Sequence, residues 1–295
     1  MTQPRSGSIA CESPLGPHRM AFSEWGEPDN PRVVVCVHGV SRLGRDFDEL
    51  ARGLSDEYRV VCPDIVGRGQ SDRLAERPDA FVHYAVPQYV ADCARLVASL
   101  GVPQVDWVGT SMGGLIAMGL WSLGGRPFRK LVLNDIGPVV HGMALRRIAG
   151  YLGILPRFAT LDEGVRYLSS VNASFGPHSP EQWRALSEPL IVHRSGKRSG
   201  EPPFFTLHYD PRIGDAFRAQ ATGQDLTLWP LYDALDCETL AIRGALSDLL
   251  SREVHQEMHA RGPRARLVEL PGIGHAPALV QPDQVALVRS FLLGH

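Results

Sequence analysis

The segment Gly109-Thr110-Ser111-Met112-Gly113 sets a serine between two glycines. Its flanks sharpen the pattern: the strand expected over Val105–Val108 leads in and the apolar helical stretch Leu115–Leu123 leads out. A serine at a sharp strand-to-helix turn is exposed at the carboxyl edge of a sheet, beside a helix N-terminus whose dipole favours negative charge. Bulky side chains at the two glycine positions would collide with the adjoining strand and helix. A serine hydroxyl is a weak nucleophile and needs a base, usually a histidine oriented by a carboxylate.

Of the eleven histidines, His275 is placed best, in Gly272-Ile273-Gly274-His275-Ala276-Pro277 after the run Ala265–Leu270. The glycines and the proline suit a loop at the same sheet edge as Ser111. Two carboxylates compete for the orienting role. Asp248, a few residues past the run Thr239–Arg243, gives the chain order serine, acid, histidine and is preferred. Asp135, directly after Arg129–Leu133, is the alternative, otherwise a loop brace or pocket-lining residue. Developing negative charge needs two backbone N–H donors. Met112, next to the serine, is one expected donor. Val40, in His38-Gly39-Val40 after Arg32–Val37, is the other, with His38 bracing that loop. His141, His193 and His208 fall in a helical stretch, and His255 and His259 on a surface-like helix.

These residues must be carried by an alternating set of elements. Residues 18–26 alternate as an outer strand does, after a Pro/Gly/Ser-rich arm over residues 1–17. Arg32–Val37 is a continuous β-branched run that suits a strand buried on both faces. A helix through Phe47–Leu54 and the run Tyr58–Cys62 follow. Val86, Val90, Cys93, Val97 and Leu100 recur at helical spacing, and Gly101 stops the helix. Strand and helix alternate up to Gly137-Pro138, the signature of a parallel sheet covered on both faces. Residues 139–228 then read as helices broken by Gly and Pro, with stretches at Ala144–Leu152, Gly164–Val171 and Gln182–Val192. That segment carries Arg146, Arg147, Arg194, Lys197 and Arg198, read as a solvated helix face. Alternation resumes with strand Thr239–Arg243, helix Arg252–Ala260, strand Ala265–Leu270 and helix Asp283–Leu293.

Composition sets the outer bounds. The 295 residues are 44% hydrophobic and 21% charged, as in ordinary globular chains. Thirty basic against thirty-two acidic residues leave a net charge of -2, which excludes a global basic footprint for nucleic acid. No run approaches the roughly eighteen apolar residues of a membrane span. Pro4, Pro14 and Pro17 without an apolar stretch between them predict no secretory leader, and so a cytoplasmic protein. The five cysteines are scattered, with no ligand spacing, so neither a disulfide framework nor a metal site is expected. Cys36 and Cys62 lie within apolar runs and are expected in the core.

The chain resembles the α/β-hydrolase fold superfamily over nearly its whole length. The resemblance rests on HGV after a core strand, PDIVGRGQSD (Pro63–Asp72), GTSMGG at the serine turn, RGALSD and GIGHAP. It implies a mostly parallel eight-stranded sheet with helices on both faces, a core of residues 1–138 and 229–295, and a helical cap over 139–228. It implies a cofactor-free serine hydrolase with Ser111 as nucleophile, and a structural role for Asp64. Relatives that use a carboxylate nucleophile are set aside because Ser111 holds that position, and HGV in place of HGGG argues against HGGG-type lipases. Carboxylesterases, lactonases, hydrolases of carbon–carbon bonds in ring-cleavage products, perhydrolases and acyltransferases survive. The reading adopted is cleavage of small-molecule carboxylic esters through an acyl-enzyme, with no nucleic-acid or membrane partner and a homodimer left open. A ligand receptor of the same fold is the alternative from a different class, and an intact Ser111, Asp248 and His275 speaks against it.

Overall fold

Eight strands form one sheet in a computed structural model that describes residues 3–196 and 201–294. They are β1 (Arg5–Ser13), β2 (Gly16–Trp25), β3 (Val33–Val37), β4 (Arg59–Pro63), β5 (Val105–Thr110), β6 (Phe128–Asn134), β7 (Glu238–Gly244) and β8 (Arg266–Leu270). Across the sheet the order is β1-β2-β4-β3-β5-β6-β7-β8, with β2 antiparallel to both neighbours and the other pairs parallel. The order turns back on itself at β3, whose successors lie on opposite sides. Such a reversal leaves a crevice at the carboxyl ends of the central strands.

Alternate residues of one strand feed opposite faces, which is why β3 is apolar throughout. Val33, Val35 and Val37 join Trp107, Leu131 and Leu133 under α2 (Val86–Ser99) and α3 (Met112–Ser122). Val34 and Cys36 join Val60, Val108 and Ile242 under α1 (Asp48–Leu54) and α10 (Pro282–Leu293). Cys36 and Cys62 are core residues, as expected. The amphipathic helix α2 ends where expected, at Gly101 with φ +73°.

The arm expected over residues 1–17 is mostly an edge strand. β1 pairs with β2 over its full length, Arg5 opposite Glu24 through Ser13 opposite Gly16. Its inward side is small, with Cys11 the only fully buried residue, so its alternation is faint in the sequence.

Between β6 and β7 the chain runs through α4 (Gly142–Ala149), α5 (Leu161–Val171), α6 (Pro180–Ser187), α7 (Arg212–Gln220) and α8 (Trp229–Asp233). Among the described residues, none of this segment joins the large sheet. The helix expected over Gln182–Val192 stops at Ser187 and passes into a tighter 3-10 turn over Glu188–Leu190, where Pro189 has no N–H to continue the helical ladder. Ile191–Arg194 instead pairs antiparallel with Phe204–Leu207. Lys197 and Arg198 lie outside the described residues. On α9 (Arg252–Ala260), His255 is buried rather than on the surface, its Nε2 3.0 Å from the Ala241 carbonyl.

Candidate active site

Ser111 closes β5 and caps α3 with φ 51° and ψ -114°, a strained backbone for any residue but glycine. The flanking glycines make the turn possible. A Cβ on Gly109 would stand 2.5 Å from the Gly113 backbone, and one on Gly113 would overlap the Val37 carbonyl. Met112 is the first helical residue, so its N–H has no partner within the helix.

The His275 loop lies over this turn. Nε2 of His275 is 2.9 Å from Ser111 Oγ, and Nδ1 is 2.7 Å from Asp135 Oδ2. A carboxylate accepts, so Nδ1 carries the proton and Nε2 turns its lone pair to the serine. Ser174, on the inserted segment, holds the loop from the other side: its hydroxyl donates to the His275 carbonyl (2.6 Å) and its carbonyl accepts from Gly274 N–H (2.6 Å).

The acid beside His275 is therefore Asp135, not the preferred Asp248. Asp135 is 0% exposed and takes a left-handed backbone, φ 52°, at the end of β6. That turn aims its carboxylate across the edge toward β7. There Oδ1 accepts from Gly244 N–H (2.8 Å) and Oδ2 accepts from the Ser247 hydroxyl (2.6 Å) as well as from His275. Asp248, one residue past Ser247, points outward and is gripped by Arg147 Nε (2.7 Å) and Nη2 (2.9 Å). Partial burial works against its charge, but the Arg147 bonds prevail and hold its carboxyl below the usual range.

The other backbone segment at the site is braced by buried side chains. His38 is 0% exposed; burial, with Arg68 nearby, drives its pKa down to about 3, so it is neutral. Nε2 accepts from Ile65 N–H (3.0 Å), which leaves the proton on Nδ1 to donate to the Gly39 carbonyl (2.7 Å). Arg42 N–H donates to the same carbonyl at 3.1 Å. A trans peptide carries its C=O and N–H on opposite sides, so these two donors orient Val40 N–H as well. Arg68 secures the next peptide, with Nε donating to the Val40 carbonyl (2.6 Å). Asp64 accepts from Gly44 N–H (2.8 Å) and Gln70 N–H (2.7 Å), the structural role expected of it. Ser247, Ser174 and Arg68 were not singled out by sequence, because each acts through contacts far from its chain neighbours.

Residues 34–287 match the alpha/beta hydrolase family. The chain belongs to that family. It is 49% identical to a 3-hydroxybutyrate-oligomer hydrolase of Cupriavidus necator, over 99% of this chain and 98% of that one. It is 34% identical, with a TM-score of 0.83, to an alpha/beta hydrolase of Novosphingobium aromaticivorans, covering 99% of both chains. A structure from Rickettsia typhi superimposes with a TM-score of 0.88 at 27% identity, covering 100% of both chains.

In this α/β hydrolase two cavities meet at Ser111 and Val40. The larger, about 380 Å³, is apolar and reaches under α4 and α7; Leu115, Ile136, Leu145, Ile148 and Phe217 line it. The smaller, about 60 Å³, is the more polar of the two and is lined by His275 with Arg42, Arg147, Tyr151 and Asn172. Its two arginines differ in freedom. Arg42, whose side chain is 7% exposed, forks onto Asp46 and also donates to the Leu186 carbonyl. Breaking such a buried pair costs about 3–5 kcal/mol. The side chains of Arg147 and Asp248 are 45% and 48% exposed, and an exposed pair is worth only about 0–1 kcal/mol.

Among the described residues one group has metal-ligand types, the buried Cys11, His18 and Asp92. None of the three lines either cavity at Ser111. Burial, then the charge of Asp92, pushes the Cys11 thiol up to about 12, while His18 Nε2 pairs with Asp92 at 2.9 Å. A thiol so hard to ionise is a poor ligand. The described residues contain no helix long and apolar enough to cross a membrane.

Proposed function

We propose that this chain is a serine ester hydrolase that works through an acyl-enzyme and takes short oligoesters of hydroxy acids, 3-hydroxybutyrate oligomers first. The observation that carries the reading is the hydrogen-bonded chain Ser111–His275–Asp135 opening onto a two-lobed cavity. The substrate class is supported by the near-complete overlap with the Cupriavidus necator relative.

Ser111 Oγ attacks the ester carbonyl as His275 Nε2 takes its proton. Asp135 keeps the productive imidazole tautomer and stabilises the imidazolium. The oxyanion is met by the N–H groups of Met112 and Val40. His275 returns the proton to the departing alkoxide as the carbon–oxygen bond breaks, leaving an acyl ester on Ser111. Water, deprotonated by His275, repeats the attack and releases the acid. Asp248 hydrogen-bonds Arg147 and neither Ser111 nor His275. Residues 139–228 act as the cap that shapes the cavity and excludes water.

The test is hydrolysis of 3-hydroxybutyrate dimer and trimer, p-nitrophenyl butyrate and a ring-cleavage dienoate, with Ser111→Ala as background. The esters should turn over well above background, and the dienoate should not. Esters at background beside a fast dienoate would replace this reading with carbon–carbon hydrolysis on the same residues. At most one equivalent of product would indicate a ligand receptor.

A further inference from the structure

One residue of the smaller lobe, Arg147, belongs to an ion pair that the acyl-transfer steps leave unused. Arg147 descends from α4 to line the same cavity as Ser111 and His275, and its guanidinium is closed by the Asp248 fork on the loop after β7. Both side chains are about half exposed, so the pair opens to solvent at little cost. The other guanidinium of the lobe, on Arg42, is locked under Asp46 and the Leu186 carbonyl and faces the Phe175 ring at 5.5 Å. One cation beside the serine is thus fixed, and one is exchangeable.

We propose that Arg147 is the anchor for a carboxylate on the substrate, and that Asp248 is its resident counter-ion, displaced when that carboxylate binds. The inference rests on the ester-hydrolase reading and gives it a direction. A linear oligoester of hydroxy acids ends in one free carboxylate, carried on the alcohol side of the ester that precedes it. With that end forked on Arg147 in the smaller lobe, the ester carbonyl falls at Ser111, and the acyl portion enters the apolar lobe under α4 and α7. Cleavage then occurs near the carboxyl end, and the leaving alcohol keeps the charge. A planar guanidinium matches a carboxylate by two parallel hydrogen bonds, a fit an ammonium does not reproduce.

The experiment compares kcat/KM for the internal ester of 3-hydroxybutyrate dimer as free acid and as terminal carboxamide. Wild type should favour the acid, and added salt should raise KM for the acid but not for the amide. Arg147→Gln should lower the acid-to-amide ratio at least about tenfold, mainly through KM, as expected for loss of hydrogen bonds to a charged group. Arg147→Lys should restore only part of the ratio, and Asp248→Asn should lower KM for the acid by removing its competitor. An unchanged ratio in Arg147→Gln would overturn the anchor while leaving the esterase reading intact, as would equal losses on both substrates. A wild type that cleaves p-nitrophenyl butyrate but neither dimer would overturn the anchor and the oligoester substrate class while leaving the ester-hydrolase reading intact.

Discussion

At the residue scale, Asp135 and Asp248 make opposite predictions although each follows a strand at the same sheet edge. Asp135→Asn should lower kcat by about 10⁴, because an amide can donate to Nδ1 and stabilise the wrong imidazole tautomer. Asp248→Asn should cost less than about tenfold on p-nitrophenyl butyrate, since it removes one exposed ion pair. Steady-state kinetics on that ester check both, and reversed losses would return the acid to the loop after β7. Ser111 and His275 could be read from their neighbours: paired glycines, a strand leading in and a helix leading out. The acid could not. Its identity depends on the left-handed turn at Asp135 and on Gly244 N–H and the Ser247 hydroxyl waiting across the edge. A sequence shows the carboxylates but not which way their loops turn.

At the scale of elements, the segment from Pro63 to Asp72 works as a splint for the Val40 loop. Arg68→Gln removes the bond to the Val40 carbonyl. It should lower kcat by up to about 10²-fold, the cost of a small misplacement at a reacting centre, with KM changing less. His38 adds a pH signature. Its folded pKa, about 3, lies below the ordinary 6.5, so the unfolded chain binds the extra proton first. The stability it contributes is fully present above pH 6.5 and is lost as the pH falls toward about 3. The difference in unfolding free energy between wild type and His38→Gln, measured by urea denaturation, should therefore shrink below pH 6.5. A constant difference would contradict a neutral, buried imidazole. His38 was legible as a brace because its place beside Gly39 sits next to the serine turn. β1 was not, since an edge strand with one fully buried side chain leaves little pattern to read.

At the scale of the whole molecule, the large sheet carries Ser111 and Asp135 at its carboxyl edge, and described residues between β6 and β7 line the cavities beside Ser111. Leu145 on α4 lines the apolar lobe, so Leu145→Trp should shorten it. kcat/KM for p-nitrophenyl octanoate should then fall at least about tenfold relative to butyrate, within reach of a pocket that reads each methylene at about 1–3 kcal/mol. Equal effects on both esters would place the acyl chain elsewhere. The alternation of strands and helices made the sheet readable from sequence. The lobes were not, because they form where Leu145, Ile148 and Phe217 meet Leu115 and Ile136, residues separated by long stretches of chain. The central claim is a covalent acyl group on Ser111. It is tested most directly by acid-quenching the enzyme during turnover of p-nitrophenyl butyrate and locating the adduct by peptide mass spectrometry. One butyryl group on the peptide containing Ser111, absent in Ser111→Ala, is the predicted result; turnover with no adduct, or with the adduct on another residue, would contradict it.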